Sequence, residues 1–151
     1  MDRSVSSSVE EGPVYTHQAM RLEEGMALEC GAHLAPLEVA YCTYGTLSAT
    51  RDNAILVCHA LTGDQYLAES NPFTRQPGWW SRRVGPGLPL HTDRCVVFCP
   101  NVQAGCVGST APRSLRARTC HVRASEFPPN TVQDILASLY PQGEHVANAA
   151  P

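Results

Sequence analysis

Hydrophobic and polar residues alternate along LEVAYCTY (37–44), which is rich in β-formers, so this stretch predicts a strand. MALEC (26–30) is shorter and mixed; the turn residues from Gly31 to Pro36 would join the two as an antiparallel pair. After the polar turn Arg51, Asp52 and Asn53 comes AILVC (54–58), apolar without a break. A strand apolar on both faces suits the middle of a covered parallel sheet, not an edge in water. CVVFC (95–99) has the same character and stops at Pro100, which cannot continue a ladder. The connection 61–90 is punctuated by Pro72, Pro77, Gly78, Gly85, Pro86, Gly87 and Pro89, which predicts a functional loop or cap with one helical turn near Trp79 and Trp80. Residues 101–111 turn to Gly, Ser, Thr and Cys, loop chemistry directly after a buried strand. TVQDILASL (131–139) begins a helix with Asn130 as its cap, and Pro141 and Gly143 break the pattern.

Composition narrows the class. A hydrophobic fraction of 43% with 17% charged residues describes an ordinary folded protein, neither disordered nor membrane-spanning. The net charge of -3 argues against nucleic acid or an anionic membrane as partner, because either favours a basic surface. The serine-rich start carries Glu10 and Glu11 and lacks a secretory pattern, so residues 1–20 are expected to be a flexible tail and the location cytoplasmic. Seven cysteines, at 30, 42, 58, 95, 99, 106 and 120, form no CxxC pair. With Cys58, Cys95 and Cys99 set in apolar strands, they read as free thiols, with no structural metal.

Two segments carry candidate chemistry. In CHALTGD (58–64) a buried strand runs into a tight turn, and such a turn can point backbone N–H groups into a site, as stabilising an oxyanion requires. From spacing alone, a plain strand-to-loop turn with Gly63 at positive φ is the more economical reading. His59 by itself reads as a packed, hydrogen-bonded histidine. The second segment is NVQAGCVGSTAP (101–112), whose small residues let backbone approach a ligand or another loop closely, or serve as a packed connector. Cys106 in this polar loop could be a nucleophile if a histidine lay close. Trp79 and Trp80 read as sealing a core or cap, and Arg113, Arg116, Arg118 and Arg123 as a solvated basic segment.

At these residues the chain resembles the homoserine O-acetyltransferases. The resemblance rests on YCTYGTL (41–47), RDNAILVCHALTGD (51–64), PGWW (77–80), VGPG (84–87), TDR (92–94) and NVQAGCVGST (101–110), spanning about residues 22–134. It implies an α/β fold, specifically the amino-terminal half of an α/β-hydrolase fold: a mostly parallel sheet after an antiparallel start, incomplete. Residues 21–140 would be this partial domain, and 141–151 a terminal segment outside the family pattern. The implied reaction moves an acetyl group from acetyl-coenzyme A, a co-substrate and not a resident cofactor, to L-homoserine in methionine biosynthesis; full-length members would be homodimers. The resemblance also implies that the backbone N–H of Leu61 supplies one oxyanion donor, and that Thr62, Gly63, Asn101, Gly105, Cys106 and Gly108 belong to the substrate-pocket loops. Gln103, Ala104 and Ala111 stand where the family usually has Leu, Gly and Gly, and His91 replaces an Asp.

No GxSxG occurs in the 151 residues, and Ser109 in VGSTA lacks its context, so the catalytic serine, aspartate and histidine of the family pattern are missing. Turnover by this polypeptide alone is therefore not expected. The arginine, proline and alanine flavour after Ser109 suggests a frame disruption or early stop in a G and C rich gene, testable by reading the other frames downstream. Two further readings are a non-catalytic folded remnant or binding module, and a small hydrolase using Cys106.

Overall fold

The computed structural model describes residues 18–105, 107–114 and 122–139; Cys106, residues 1–17 and the segment 141–151 lie outside the described residues. The strands are β1 (Gln18–Leu22), β2 (Met26–Ala27), β3 (His33–Leu34), β4 (Leu37–Tyr44), β5 (Ala54–Leu56), β6 (Val84–Gly85), β7 (Leu90–His91) and β8 (Val96–Pro100). A helix, α1, covers 132–139. The main sheet has the order β1-β4-β8-β5. Its first pairings, β1 with β4 and β4 with β8, are antiparallel, and β5 joins β8 in parallel. The antiparallel start followed by parallel pairing is what the resemblance implied, but among the described residues one of the three pairings in this sheet is parallel, not most of them.

Period-two alternation sorts the core onto the two faces of this sheet. Cys42, Tyr44, Val97 and Cys99 pack on one side with Val57, Tyr66, Leu67 and Val84. Leu37 and Val39 pack on the other with Leu28, Leu34 and Leu139 of α1. All five residues of β8 are buried, as its unbroken apolar run predicts for a strand flanked on both edges.

Four expectations are corrected. Strand β1 begins at Gln18, inside the stretch assigned to the tail; QAMRL is too short and mixed to signal a strand alone, and it forms by pairing with residues 37–41 of β4. Met26–Ala27 pairs with His33–Leu34, not with β4, because the turn at Gly31 closes a tight hairpin before Pro36. Strand β5 lies at the sheet edge, with Ala54, Leu56 and Cys58 exposed while Val57 and His59 are buried, so its second apolar face is uncovered by the described residues. Trp79 and Trp80 lie outside the core clusters: they are 39% and 42% exposed, packed against each other at 5.1 Å in a turn.

The start of α1 also differs. Thr131, not Asn130, is the cap: Thr131 Oγ1 accepts from the Asp134 N–H at 3.2 Å, and Asp134 Oδ2 accepts from the Thr131 N–H at 2.8 Å. This reciprocal pair satisfies two donors that a helix start leaves unpaired. Asp134 Oδ1 also accepts from the Glu29 N–H at 2.9 Å, which fastens the helix to the turn after β2.

Candidate active site

Because β5 and β8 are parallel, their carboxyl ends lie at the same edge of the sheet, and the two loops singled out by sequence emerge there together. The first loop turns immediately. The Gly63 N–H donates to Ala60 O at 2.7 Å, closing the turn 60–63. Gly63 is not in the left-handed region, contrary to expectation; its bareness matters because a Cβ there would sit 3.2 Å from Ala60 O and 3.2 Å from the His59 Cβ. Leu61, at the tip, is 88% exposed, and its N–H has no hydrogen-bond partner among the described residues.

The second loop is a bulge stitched to β4. The Asn101 N–H donates to Ala40 O at 2.7 Å, and nine residues later the Thr110 N–H donates to Glu38 O at 2.8 Å. Ser109 Oγ accepts from the Ala40 N–H at 3.0 Å and donates to Asn101 O at 2.7 Å. Both capacities of that hydroxyl are committed inside a buried frame, so Ser109 is a brace and not a nucleophile. Gly105 is needed where it stands: a Cβ would come within 2.6 Å of Asn101 Oδ1. Gly108 holds a φ of 86°, as does Ala104 at 63°, a conformation that favours glycine.

One histidine joins the two loops. His59 is buried; its Nδ1 lies 2.7 Å from Ala60 O, and its Nε2 lies 3.1 Å from Asn101 Oδ1 and 3.3 Å from the Val102 N. Asn101 is itself fully buried, with Nδ2 donating to Val107 O. It therefore holds the loop together and cannot line an open surface. Leu61, Thr62 and Gly108 are exposed at the mouth, and Gly63 and Gly105 are half-buried. The sequence reading of His59 as a hydrogen-bonded histidine holds, but its partner was not legible, being an amide 42 residues away.

Behind the first turn, Asp64 organises the long connection. Its Oδ1 accepts from the Tyr66 N–H at 2.9 Å, its Oδ2 from Asn71 Nδ2 at 2.6 Å, and its backbone O from Trp79 Nε1 at 3.0 Å. Tyr44 reaches across from β4, donating to the Glu69 carboxylate and accepting from the Leu67 N–H at 2.9 Å. Burial, reinforced by Cys42, Asp64 and Glu69, pushes the Tyr66 hydroxyl up to about 12. Burial likewise raises the Cys99 thiol to about 12 and the Cys42 thiol further, Glu69 adding to the second. A thiol nucleophile needs its pKa lowered, so these two cysteines are packing groups.

Among the described residues there is no cluster of His, Cys, Asp and Glu able to hold a metal ion, and no helix long and apolar enough to cross a membrane. Among the described residues the site offers one unpaired backbone donor, the Leu61 N–H, on a turn braced by His59 and Asn101.

Comparison with known proteins places this geometry. The chain is 68% identical over 138 residues to the homoserine O-acetyltransferase of Gluconobacter oxydans, covering 91% of this chain and 35% of that one. It is 53% identical to that of Acidiphilium cryptum over 82% of the chain and 33% of the relative. Among solved structures, homoserine O-acetyltransferase from Bacillus anthracis superposes with a TM-score of 0.72 at 29% identity, over 89% of this chain and 37% of that one. Esterase E22 superposes with a TM-score of 0.78 at 22% identity, over 89% and 38% respectively, a likeness of fold. No family model matches the chain. The chain spans about a third of the length of the curated relatives it matches. Over that third, and with its partial α/β-hydrolase sheet, the chain matches the homoserine O-acetyltransferases in both sequence and fold.

Proposed function

We propose that this chain supplies the oxyanion side of an acyltransferase that moves an acetyl group from acetyl-coenzyme A to the hydroxyl of L-homoserine, a step of methionine biosynthesis. The observation that carries the reading is the exposed turn 60–63, whose Leu61 N–H has no partner among the described residues and lies at the mouth shared by both loops. When a nucleophile attacks the thioester carbonyl, negative charge grows on its oxygen. A fixed N–H aimed at that oxygen stabilises the transition state more than the ground state, and one such donor contributes about 10²–10³ in kcat. Thr62 and Gly63 on the first turn, and Gly105, Cys106 and Gly108 on the second loop, are the proposed pocket residues, with Asn101 as their support. The serine nucleophile and its histidine and aspartate are not among the 151 residues, so the chain alone is expected to give no enzyme-like rate.

The test is a turnover assay with acetyl-coenzyme A and homoserine, run on the chain alone and on the chain mixed with the remaining two-thirds of the Gluconobacter oxydans relative. Activity in the mixture and none in the chain alone is expected, with Leu61→Pro, which deletes the N–H, lowering kcat about 10²–10³-fold. Parallel arms with succinyl-coenzyme A and with serine identify donor and acceptor. Full activity with Leu61→Pro would remove Leu61 from the mechanism, and turnover by the chain alone would overturn the reading of an incomplete site.

A further inference from the structure

The carbonyl of Ala60 receives two hydrogen bonds from opposite parts of its surroundings. The Gly63 N–H donates to it at 2.7 Å from within the turn, and His59 Nδ1 approaches it at 2.7 Å from the side chain. A carbonyl oxygen only accepts, so Nδ1 carries a proton. The Ala60–Leu61 peptide is trans, the cis bond among the described residues being Ala35–Pro36. In a planar trans peptide the carbonyl and the following N–H point in opposite directions. Pinning Ala60 O inward therefore aims the Leu61 N–H outward, and it is this N–H that has no partner among the described residues.

The ring that does the pinning is itself fixed from behind. Nε2 meets an acceptor, Asn101 Oδ1 at 3.1 Å, and a donor, the Val102 N–H at 3.3 Å. Either protonation state of Nε2 thus finds a partner while Nδ1 stays bonded to Ala60 O. Asn101 is anchored to β4 through Ala40 O at 2.7 Å and braced by Ser109 Oγ at 2.7 Å. We propose that His59 is a positioning residue: it transmits the rigidity of β4, through Asn101, to the Ala60–Leu61 peptide plane and so sets the direction of the Leu61 N–H. The proposal rests on the reading of this turn as an oxyanion donor only for its purpose; the geometry it asserts is independent of that reading.

The experiment uses the full 151-residue chain labelled with ¹⁵N. Imidazole ¹⁵N spectra, in solution or on a sedimented sample should the chain associate, are expected to show the proton of the neutral ring on Nδ1. The backbone order parameter of Leu61 is expected near about 0.85 in the parent chain and below about 0.6 in His59→Ala, with β4 and β8 unchanged. His59→Asn keeps an amide donor close to the position of Nδ1 and should restore the Leu61 value; His59→Gln, which reaches toward Asn101 instead, should not. An unprotonated Nδ1 in the neutral ring overturns the proposal. So does an unaltered Leu61 in His59→Ala, or a loss of order spread through the whole sheet. In the reconstituted enzyme of the preceding section, His59→Ala should lower kcat with KM little changed. If no acyl transfer is found there, the oxyanion reading fails while the spectroscopic result stands.

Discussion

Replacing Gln103 by leucine is expected to stabilise this chain. Gln103 is 1% exposed, its Oε1 has no hydrogen-bond partner among the described residues, and its Nε2 donates to Met26 Sδ at 3.2 Å, a weak acceptor. An unsatisfied buried polar atom costs about 1–3 kcal/mol. The bond lost with the amide is worth less than the ~0.5–1.5 kcal/mol of an ordinary hydrogen bond, because its acceptor is a thioether. Leucine is close in volume, needs no partner, and keeps the contact with Met26. The net gain is about 1–2 kcal/mol, or about 2–8 °C in Tm for a domain of this size. Urea unfolding of parent and variant measures it directly, provided the slope m is shared. A midpoint that falls, or one that does not move, would show that Oε1 is satisfied in solution and sink the reasoning. Gln103→Glu, which buries a charge at the same place, should move the midpoint the opposite way.

The remaining expectations concern the same frame. Ala104 holds a φ of 63° at a position where the resembled family usually has glycine, so Ala104→Gly should raise stability by about 1 kcal/mol in the same titration. Ser109→Ala strips the Ala40 N–H and the Asn101 carbonyl of their buried partner, and a loss of about 1–3 kcal/mol is expected by urea unfolding. The Asp134 carboxyl is held below the usual carboxylate range by the Thr131 N–H, with the Glu29 N–H and the Thr131 hydroxyl assisting. A depressed carboxyl stabilises above its unfolded value of about 4 and loses that contribution as pH falls through its lower folded value. Circular dichroism of α1 should therefore be flat from pH 7 to 5 and decline below about 4, and Asp134→Asn should remove that acid limb.

The fold was legible where periodicity and burial agree. The strands at 37–44 and 96–99 follow from pattern alone, whereas β8 runs on through Pro100, which pairs with Tyr41 where the sequence predicted a stop. What escaped the sequence depends on pairing. Strand β1 has no signal of its own and exists through its register with β4. The cap of α1 is encoded, since Thr131 and Asp134 have the spacing of a capping box, but the preceding Asn130 is by residue type an equally good cap. His59 and Asn101 are hidden for a deeper reason. Their bond joins residues just past the ends of two strands that are neighbours only because β5 pairs with β8, and nothing local in either segment encodes the other.

Strand β5 is where the sequence says more than the described residues fulfil. Asn53 O accepts from the Val96 N–H, and the Val57 N–H donates to Phe98 O, so 53, 55 and 57 face β8 and the backbone groups of Ala54, Leu56 and Cys58 face outward. Alternation along the strand leaves Leu56 55% exposed, and Leu61, at the tip of the turn that follows, is 88% exposed. An open, apolar edge invites another strand. Covering a leucine side chain is worth about 1.5–3 kcal/mol, roughly a tenfold or larger change in association constant for each one removed. Sedimentation of the chain should therefore show concentration-dependent association that Leu56→Lys weakens at least about tenfold, while the mixture with the remaining two-thirds of the relative suppresses it without any substitution. If the chain stays monomeric at every concentration, or if Leu56→Lys leaves the association untouched, then the apolar run 54–58 is accommodated within the chain itself and its edge is not a binding surface.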